Sequence, residues 1–373
     1  MKDQFPVPVL EYATRVERTQ ALLAEQGLEG IVIFSGAQER GGHIAYLTHH
    51  RLARPVAHDH AGPDLAAFVL PARGAGALVA PAGYDDGAVT SVESVRVGGA
   101  LTPDTVKAIE GYRQGALRWG IAGLDVLPAV HYVQLTEALS CVEWVRADAI
   151  LTGQRQIKSA AEIAALAQSA SVGQAGLEAG LAAAVSGVGQ DQVELAVRRG
   201  CLEAGAEVLC HVQVAAGHSV QAQEQRARSQ GPLAEGDFVY LRAWGWAQGY
   251  GFDASRVKVI GPPSAQQQDY LRHLTQATEW MVGNMEPNRR VTFYYTESRG
   301  REIHPGAHGI GLELAEEPWI QIQRAFVPKP GIVLRVAPTV ACKTFGRMSI
   351  SRMIVIGERG PQALVGRSSG GDV

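Results

Sequence analysis

Apolar positions recur with helical spacing over residues 11–27 (EYATRVERTQALLAEQG), and Gly27 stands where a left-handed C-cap would end the helix. GIVIF at 30–34 is a short β-branched run that stops at Ser35 and Gly36, which predicts a buried strand. The apolar runs AAFVL (66–70) and ALVA (77–80) alternate with turns, and residues 32–50 read as strand, loop and a short further element. Residues 1–153 are therefore expected to form a small α/β domain.

From residue 155 the pattern changes. RQIKSAAEIAALAQSASVGQAGLEAGLAAAV (155–185) is a long alanine-rich helical stretch in which Ser159 and Glu162 have the spacing of a capping box. SGVGQ breaks it, and QDQVELAVRRGCLEAGAE (190–207) predicts a second helix. Strand-like VLCHVQVAAG (208–217) and a hairpin, FVYLRAWGWAQGYGFDASRVKVI (238–260), follow. A helix opened by Ser264 (264–285) leads to β-rich segments at 331–345 and 349–357. Helices, sheet, helix and more sheet predict an α+β domain with antiparallel hairpins over 154–373.

The hairpin carries candidate chemistry. With the turn placed at Ala247 and Gln248, paired residues sum to about 495, so Arg242 faces Asp253 within reach of a bidentate guanidinium–carboxylate contact. Arg335, on a later strand, shares a face with Ala337, whereas Arg352 is expected to point the other way. His308 lies in the Gly-flanked loop AHGIG and is a candidate general acid or base. Glu316 and Glu317 are candidate carboxylates beside it, and Glu313 is expected to be structural.

Composition narrows the function classes. The 373 residues are 46% hydrophobic and 19% charged, with a net charge of −3, and show neither a basic stripe nor a polybasic run. This argues against a nucleic-acid partner or a membrane surface. No N-terminal signal region or bilayer-length apolar stretch is present, so a cytoplasmic protein is expected. The four cysteines (Cys141, Cys201, Cys210, Cys342) lack CxxC spacing and are expected to be buried free thiols. His43, His49, His50, His58 and His60 cluster in the first domain, but their spacing matches no standard zinc pattern.

Five stretches in family order resemble the creatinase/prolidase/aminopeptidase-P superfamily, the pita-bread fold: RQIKSAAEI, EGDFVYLRAWGWAQGYGFDASRVKVIG, AHGIGLELAEEPWI, PGIVLRVAPTV and SISRMIVIGERGPQALV. EYATRVERTQALLAEQGLEGIVIF and IAYLT resemble the N-terminal domain of creatinase and prolidase relatives. The resemblance implies two Asp, one His and two Glu holding a pair of divalent ions. In this chain those positions are Arg242, Asp253, His308, Ala337 and Ser351, so three of the five ligands are replaced, one of them by a permanent cation. A second family histidine is Ala315. The histidine that shuttles protons in creatinase falls near Glu224 or Gln225, with His218 able to approach the same place.

The resemblance therefore implies a metal-independent, creatinase-like hydrolase that cleaves a C–N bond in a small carboxylate-bearing substrate without a cofactor. His308 with Glu224, Glu316 or His218 would serve as acid and base, and Arg242, Asp253 and Arg335 would bind substrate. An inactive pita-bread protein that binds a ligand or peptide, and a lyase or C–C-cleaving enzyme on the same pocket, remain as alternatives. Family likeness also implies a homodimer in which the N-terminal domain, with Arg51 and Arg54 beside its histidines, nears the partner's site.

Overall fold

The computed structural model describes residues 7–36, 41–50, 65–80, 94–97, 100–112, 118–222, 231–298 and 300–366. It divides into two compact units, Met1–Arg155 and Gln156–Val373.

The first unit runs α1 (Val9–Glu25), β1 (Gly30–Gly36), α2 (Gly42–Thr48), β2 (Leu65–Pro71), β3 (Ala77–Ala80), β4 (Ser94–Val97), α3 (Leu101–Tyr112), β5 (Arg118–Ala122), α4 (Ala129–Ala138), β6 (Glu143–Arg146) and α5 (Asp148–Gln156). The six strands form one mixed sheet in the order β4-β3-β2-β1-β5-β6. β1 pairs antiparallel with β2 and parallel with β5, and its GIVIF run is buried as its β-branched character predicts. α1 ends at Gly27, with φ +65°, where Leu28 N donates to Leu23 O and Gly27 N to Ala24 O in a Schellman turn.

The second unit runs α6 (Ala160–Ala183), α7 (Gln190–Glu203), β7 (Val208–Gly217), β8 (Val220–Gln221), β9 (Phe238–Ala247), β10 (Tyr250–Val259), α8 (Ala265–Gly283), β11 (Val291–Thr292), β12 (Thr296–Ser298), β13 (Arg301–His304), β14 (Ala307–Gly309), β15 (Glu316–Ile320), β16 (Ala325–Phe326), β17 (Val333–Val336), β18 (Thr339–Cys342), β19 (Gly346–Ser349), β20 (Arg352–Gly357) and β21 (Gly360–Ala363). Its main sheets have the orders β10-β9-β7, β12-β13-β18-β19-β8 and β15-β14-β17-β20-β21. This is the expected α+β architecture. Ser159 caps α6 and Ser264 caps α8, each in a reciprocal box with Glu162 and Gln267.

Small residues bring α6 against its neighbours. A Cβ on Gly173 would stand 2.8 Å from the Phe252 ring. One on Gly176 would overlap Cys201 Sγ and stand 3.0 Å from Val197 O. The helices thus touch backbone to backbone; α6 covers one face of the β9–β10 hairpin and α7 packs against β7. Gly176→Ala is expected to cost about 1–3 kcal/mol by overpacking. An unchanged denaturant midpoint would refute this contact. Of the four free cysteines only Cys201 is buried, with burial pushing its thiol up to about 11; Cys141 is exposed and the other two are half-buried, so the buried-thiol expectation holds for one. Among the described residues no helix is long and apolar enough to cross a membrane.

Candidate functional site

The hairpin turns one step later than the sequence pattern predicts. Gln248 and Gly249 form the turn, both at positive φ (50° and 68°), and Glu207 Oε2 accepts from Gly249 N at 2.7 Å. Such a two-residue turn twists with its strands. Paired residues therefore sum to 497, as in Tyr250 and Ala247, so Arg242 faces Ser255 and Asp253 faces Trp244. A slip of two keeps side chains on the same face. Arg242 still reaches Asp253 along the diagonal, donating from Nε to Oδ1 at 2.9 Å and from Nη2 to Oδ2 at 2.6 Å.

A second guanidinium meets the same carboxylate. Arg335, on β17, places Nε 3.0 Å from Asp253 Oδ2, a charge contact whose angle is not that of a hydrogen bond. Arg335 pairs across β17–β14 with His308. The His308 Nδ1 lies 2.9 Å from Gly309 O, so the neutral ring donates there and leaves Nε2 as the acceptor. Gly309 and Gly311 are glycines for steric reasons, since a Cβ would overlap Glu317 O at the first and the Glu316 carboxylate at the second. The loop after His308 is tied to the hairpin: Gly251 N donates to Gly311 O at 2.7 Å and Trp246 Nε1 to Leu312 O at 2.9 Å. These bonds bring His308 to the hairpin that carries Asp253.

Charge decides the state of each group. Burial alone would raise the Asp253 carboxyl, but Arg335 and then Arg242 more than offset it and hold Asp253 down at about 2. Burial opposes the Arg242 charge, yet Asp253 outweighs it and raises the pKa. Arg335 is lowered, by burial first, with Asp253 pulling up and Arg242 pushing down. The two guanidiniums thus shift in opposite directions although they share one carboxylate. Arg242 holds the bidentate bond, and Arg335, just as permanently charged, carries the surplus positive charge. His308 is lowered by burial and then by Arg335, which keeps it neutral near pH 7.

Arg242, Asp253, Arg335 and His308 come together, as expected of them. Other candidates do not join them. Glu316 Oε1 accepts from Lys158 Nζ at 2.6 Å, with side-chain exposures of 7% and 1%. It is a buried ion-pair partner rather than a free base, which corrects the expectation. His218 is exposed in the β7–β8 turn against Phe345. Gly217 pairs with Phe238, six residues along β9 from the Trp244 that faces Asp253, so His218 lies roughly 20 Å away, which removes it from the site. Glu224 and Gln225 lie outside the described residues. Arg352, expected to point away from the site, lines a small cavity with Arg256, Asp253 and Ser351.

Ala337 and Ser351, at two positions where the family resemblance implies ligands, make structural contacts. Ala337 N donates to Gly306 O at 2.8 Å. Ser351 Oγ accepts from Ser255 N at 2.7 Å and donates to Asp253 O. In the first unit His43 meets Arg155 at 2.8 Å and His49 meets the Tyr12 hydroxyl at 2.9 Å. His58, His60, Arg51 and Arg54 lie outside the described residues.

Sequence reasoning missed the aromatic surround. The Arg242 guanidinium lies 4.4 Å over the Trp244 ring, and His211, paired with Trp244 from β7, sets its ring 4.8 Å from it at a tilt of 47°. On the far side Trp319 lies 5.6 Å from His308 and is 44% exposed. Period-two alternation along YLRAW was the available signal for Tyr240 and Trp244.

The donor set does not fit a pair of divalent ions. Asp253 is occupied by two guanidiniums that would repel a cation, and His308 is the one other retained ligand. Among the described residues no group of three or more His, Cys, Asp or Glu could hold a metal.

Comparison with known proteins gives a consistent frame. Residues 156–358 match the model described as Metallopeptidase family M24, and residues 15–157 match the Creatinase/Prolidase N-terminal domain. The probable dipeptidase PepE of Mycobacterium tuberculosis is 25% identical over 381 residues, covering 94% of this chain and 93% of the relative. The structure of dipeptidase PepE from Mycobacterium ulcerans superposes with a TM-score of 0.76 at 24% identity, over 97% of each chain. The prolidase from Pyrococcus horikoshii gives 0.75 at 18% identity, over 94% of this chain and 97% of that one. The fold of the second unit is the pita bread.

Proposed function

Within the Metallopeptidase family M24, to which this chain belongs, we propose that it acts as a metal-independent hydrolase cleaving a C–N bond in a small substrate that carries a carboxylate. The observation that carries this is the exchange at Arg242. Where the family pattern implies a second carboxylate with a metal between, a guanidinium neutralises Asp253 directly, and Arg335 adds a further cation. Two fixed positive charges against one negative charge favour an anion. The Nη atoms of Arg335 form no hydrogen bond with the described residues, so they are available to a carboxylate in the fork geometry that suits them.

His308 supplies the base. Its neutral Nε2 takes a proton from water as the oxygen adds to the carbonyl carbon, and returns it to the amine nitrogen as the C–N bond breaks, so the ring ends as it began. Arg335 opposes the transient imidazolium while Asp253 favours it, and the ring contacts of Trp319 limit its motion. Positioning must carry much of the rate. The homodimer implied by family likeness belongs to the same proposal.

The retention of only two of five ligand positions favours a second reading, an inactive protein that binds a small carboxylate. Metal analysis, ligand-induced thermal shift and turnover separate the cases. Purified protein is expected to hold no stoichiometric divalent metal, to be stabilised by small carboxylates over their amides, and to lose turnover in His308→Ala. Stabilisation without turnover supports the binder; one metal per chain sinks the metal-free proposal.

A further inference from the structure

β9 places Phe238, Tyr240, Arg242 and Trp244 on one face by strand alternation. Tyr240 pairs with Val257 on one side and Ala215 on the other, and its ring packs in the core with both. It is 3% exposed. Phenylalanine would fill that space equally, as Phe238 does two residues earlier.

What distinguishes Tyr240 is its hydroxyl, which forms no hydrogen bond with the described residues and yet is not one of their buried, unpartnered polar atoms: the ring is buried while the oxygen reaches solvent. Buried phenols ordinarily find a partner, because leaving the group unpaired is costly. Tyr270, in the same core, follows that rule and donates to Val340 O at 2.7 Å. Alternation along β9 instead puts the Tyr240 phenol on the same face as Arg242, within electrostatic range of both Arg242 and Arg335.

We infer that Tyr240 is a third substrate-binding residue, donating its hydroxyl hydrogen bond to the carboxylate that Arg335 and Arg242 attract. This inference rests on the carboxylate proposal above. The chemistry is complementary. A carboxylate offers about four acceptor positions, guanidiniums fill some of them with charged donors, and a phenol adds a neutral donor at a fixed angle from a side chain locked in the core. A carboxamide presents one acceptor oxygen and an NH2 that the guanidiniums repel. The three residues together therefore select an acid from its amide.

The test is calorimetric titration of the full-length protein with N-acetylglycine, and with N-acetylglycinamide as control. Wild type is expected to bind the acid more tightly than the amide. Tyr240→Phe is expected to weaken the acid roughly tenfold, the value of a hydrogen bond to a charged group, and to leave the amide unchanged. Its melting temperature is expected to equal or exceed that of wild type, because the hydroxyl has no internal bond to lose. Equal binding of the acid by wild type and Tyr240→Phe overturns the role of Tyr240 and leaves the carboxylate proposal standing. A lowered melting temperature with unchanged binding assigns the hydroxyl to structure and overturns it too. A wild type that does not distinguish acid from amide overturns both.

Discussion

Asp253→Ala is expected to destabilise the protein by about 3–5 kcal/mol, the largest single loss available at the site, because it leaves the buried Arg335 guanidinium and the half-buried Arg242 guanidinium facing each other without their shared carboxylate. For a unit of this size that corresponds to a fall in melting temperature on the order of 10 °C. Asp253→Asn, which keeps the shape and removes the charge, is expected to be intermediate. Thermal melts of the three proteins check the order. Equal melting temperatures would mean that the carboxylate does not hold the guanidiniums together. The same pair has an acid signature. Asp253 titrates lower in the folded chain, at about 2, than an ordinary aspartate at about 3.9. Its contribution is therefore complete above pH 4 and is lost as the pH falls through 2, on the order of 2 kcal/mol. Asp269 is also held low, by its hydrogen bond to Arg301, and so adds its own acid dependence. The Asp253 share is thus the difference between wild type and Asp253→Asn in denaturant midpoints from pH 5 to pH 2. A constant difference across that range would refute it.

Lys158→Met is expected to cost a further 3–5 kcal/mol or so, at a place away from the proposed chemistry. Lys158 precedes the α6 cap, its backbone bonds to Gly331 O at 2.9 Å, and its ammonium meets Glu316 on β15, the strand paired with the one bearing His308. Removing the ammonium leaves the Glu316 carboxylate buried without that charge. Adding Glu316→Gln is expected to recover part of the loss, so the double variant should be more stable than the sum of the single losses predicts. Strict additivity in a double-mutant cycle would show that the two side chains are not coupled. Glu316→Gln alone should lose stability more than carboxylate binding. The opposite split would return Glu316 to the list of site residues.

These cases also show how far the residue pattern reached. Two Ser caps, the long helix of small residues and the buried strand GIVIF are local matters, written in short windows by propensity and periodicity. The Arg242–Asp253 pair was legible because parity in a hairpin survives an error of two residues in the turn. The register itself was not, because Gln248 at positive φ is an uncommon choice that the glycine beside it and the Glu207 bond make acceptable. Glu316 was misread because its partner lies 158 positions away, and no local pattern announces that a glutamate will be buried on a lysine. His218 was misread because proximity in sequence to the hairpin gave no direction along the strand.

The sequence by itself determined the fold family and, through the resemblance, implied three replaced ligand positions with a cation at one of them, since each depends on residue identity at an ordered set of motifs. Only the tertiary structure decided that Arg335 meets the same carboxylate, that His308 is brought to it by bonds from Gly251 and Trp246, and that Tyr240 keeps a hydroxyl without an internal partner. Those facts depend on strands from distant parts of the chain coming within ion-pair and hydrogen-bond range, where burial and charge act together.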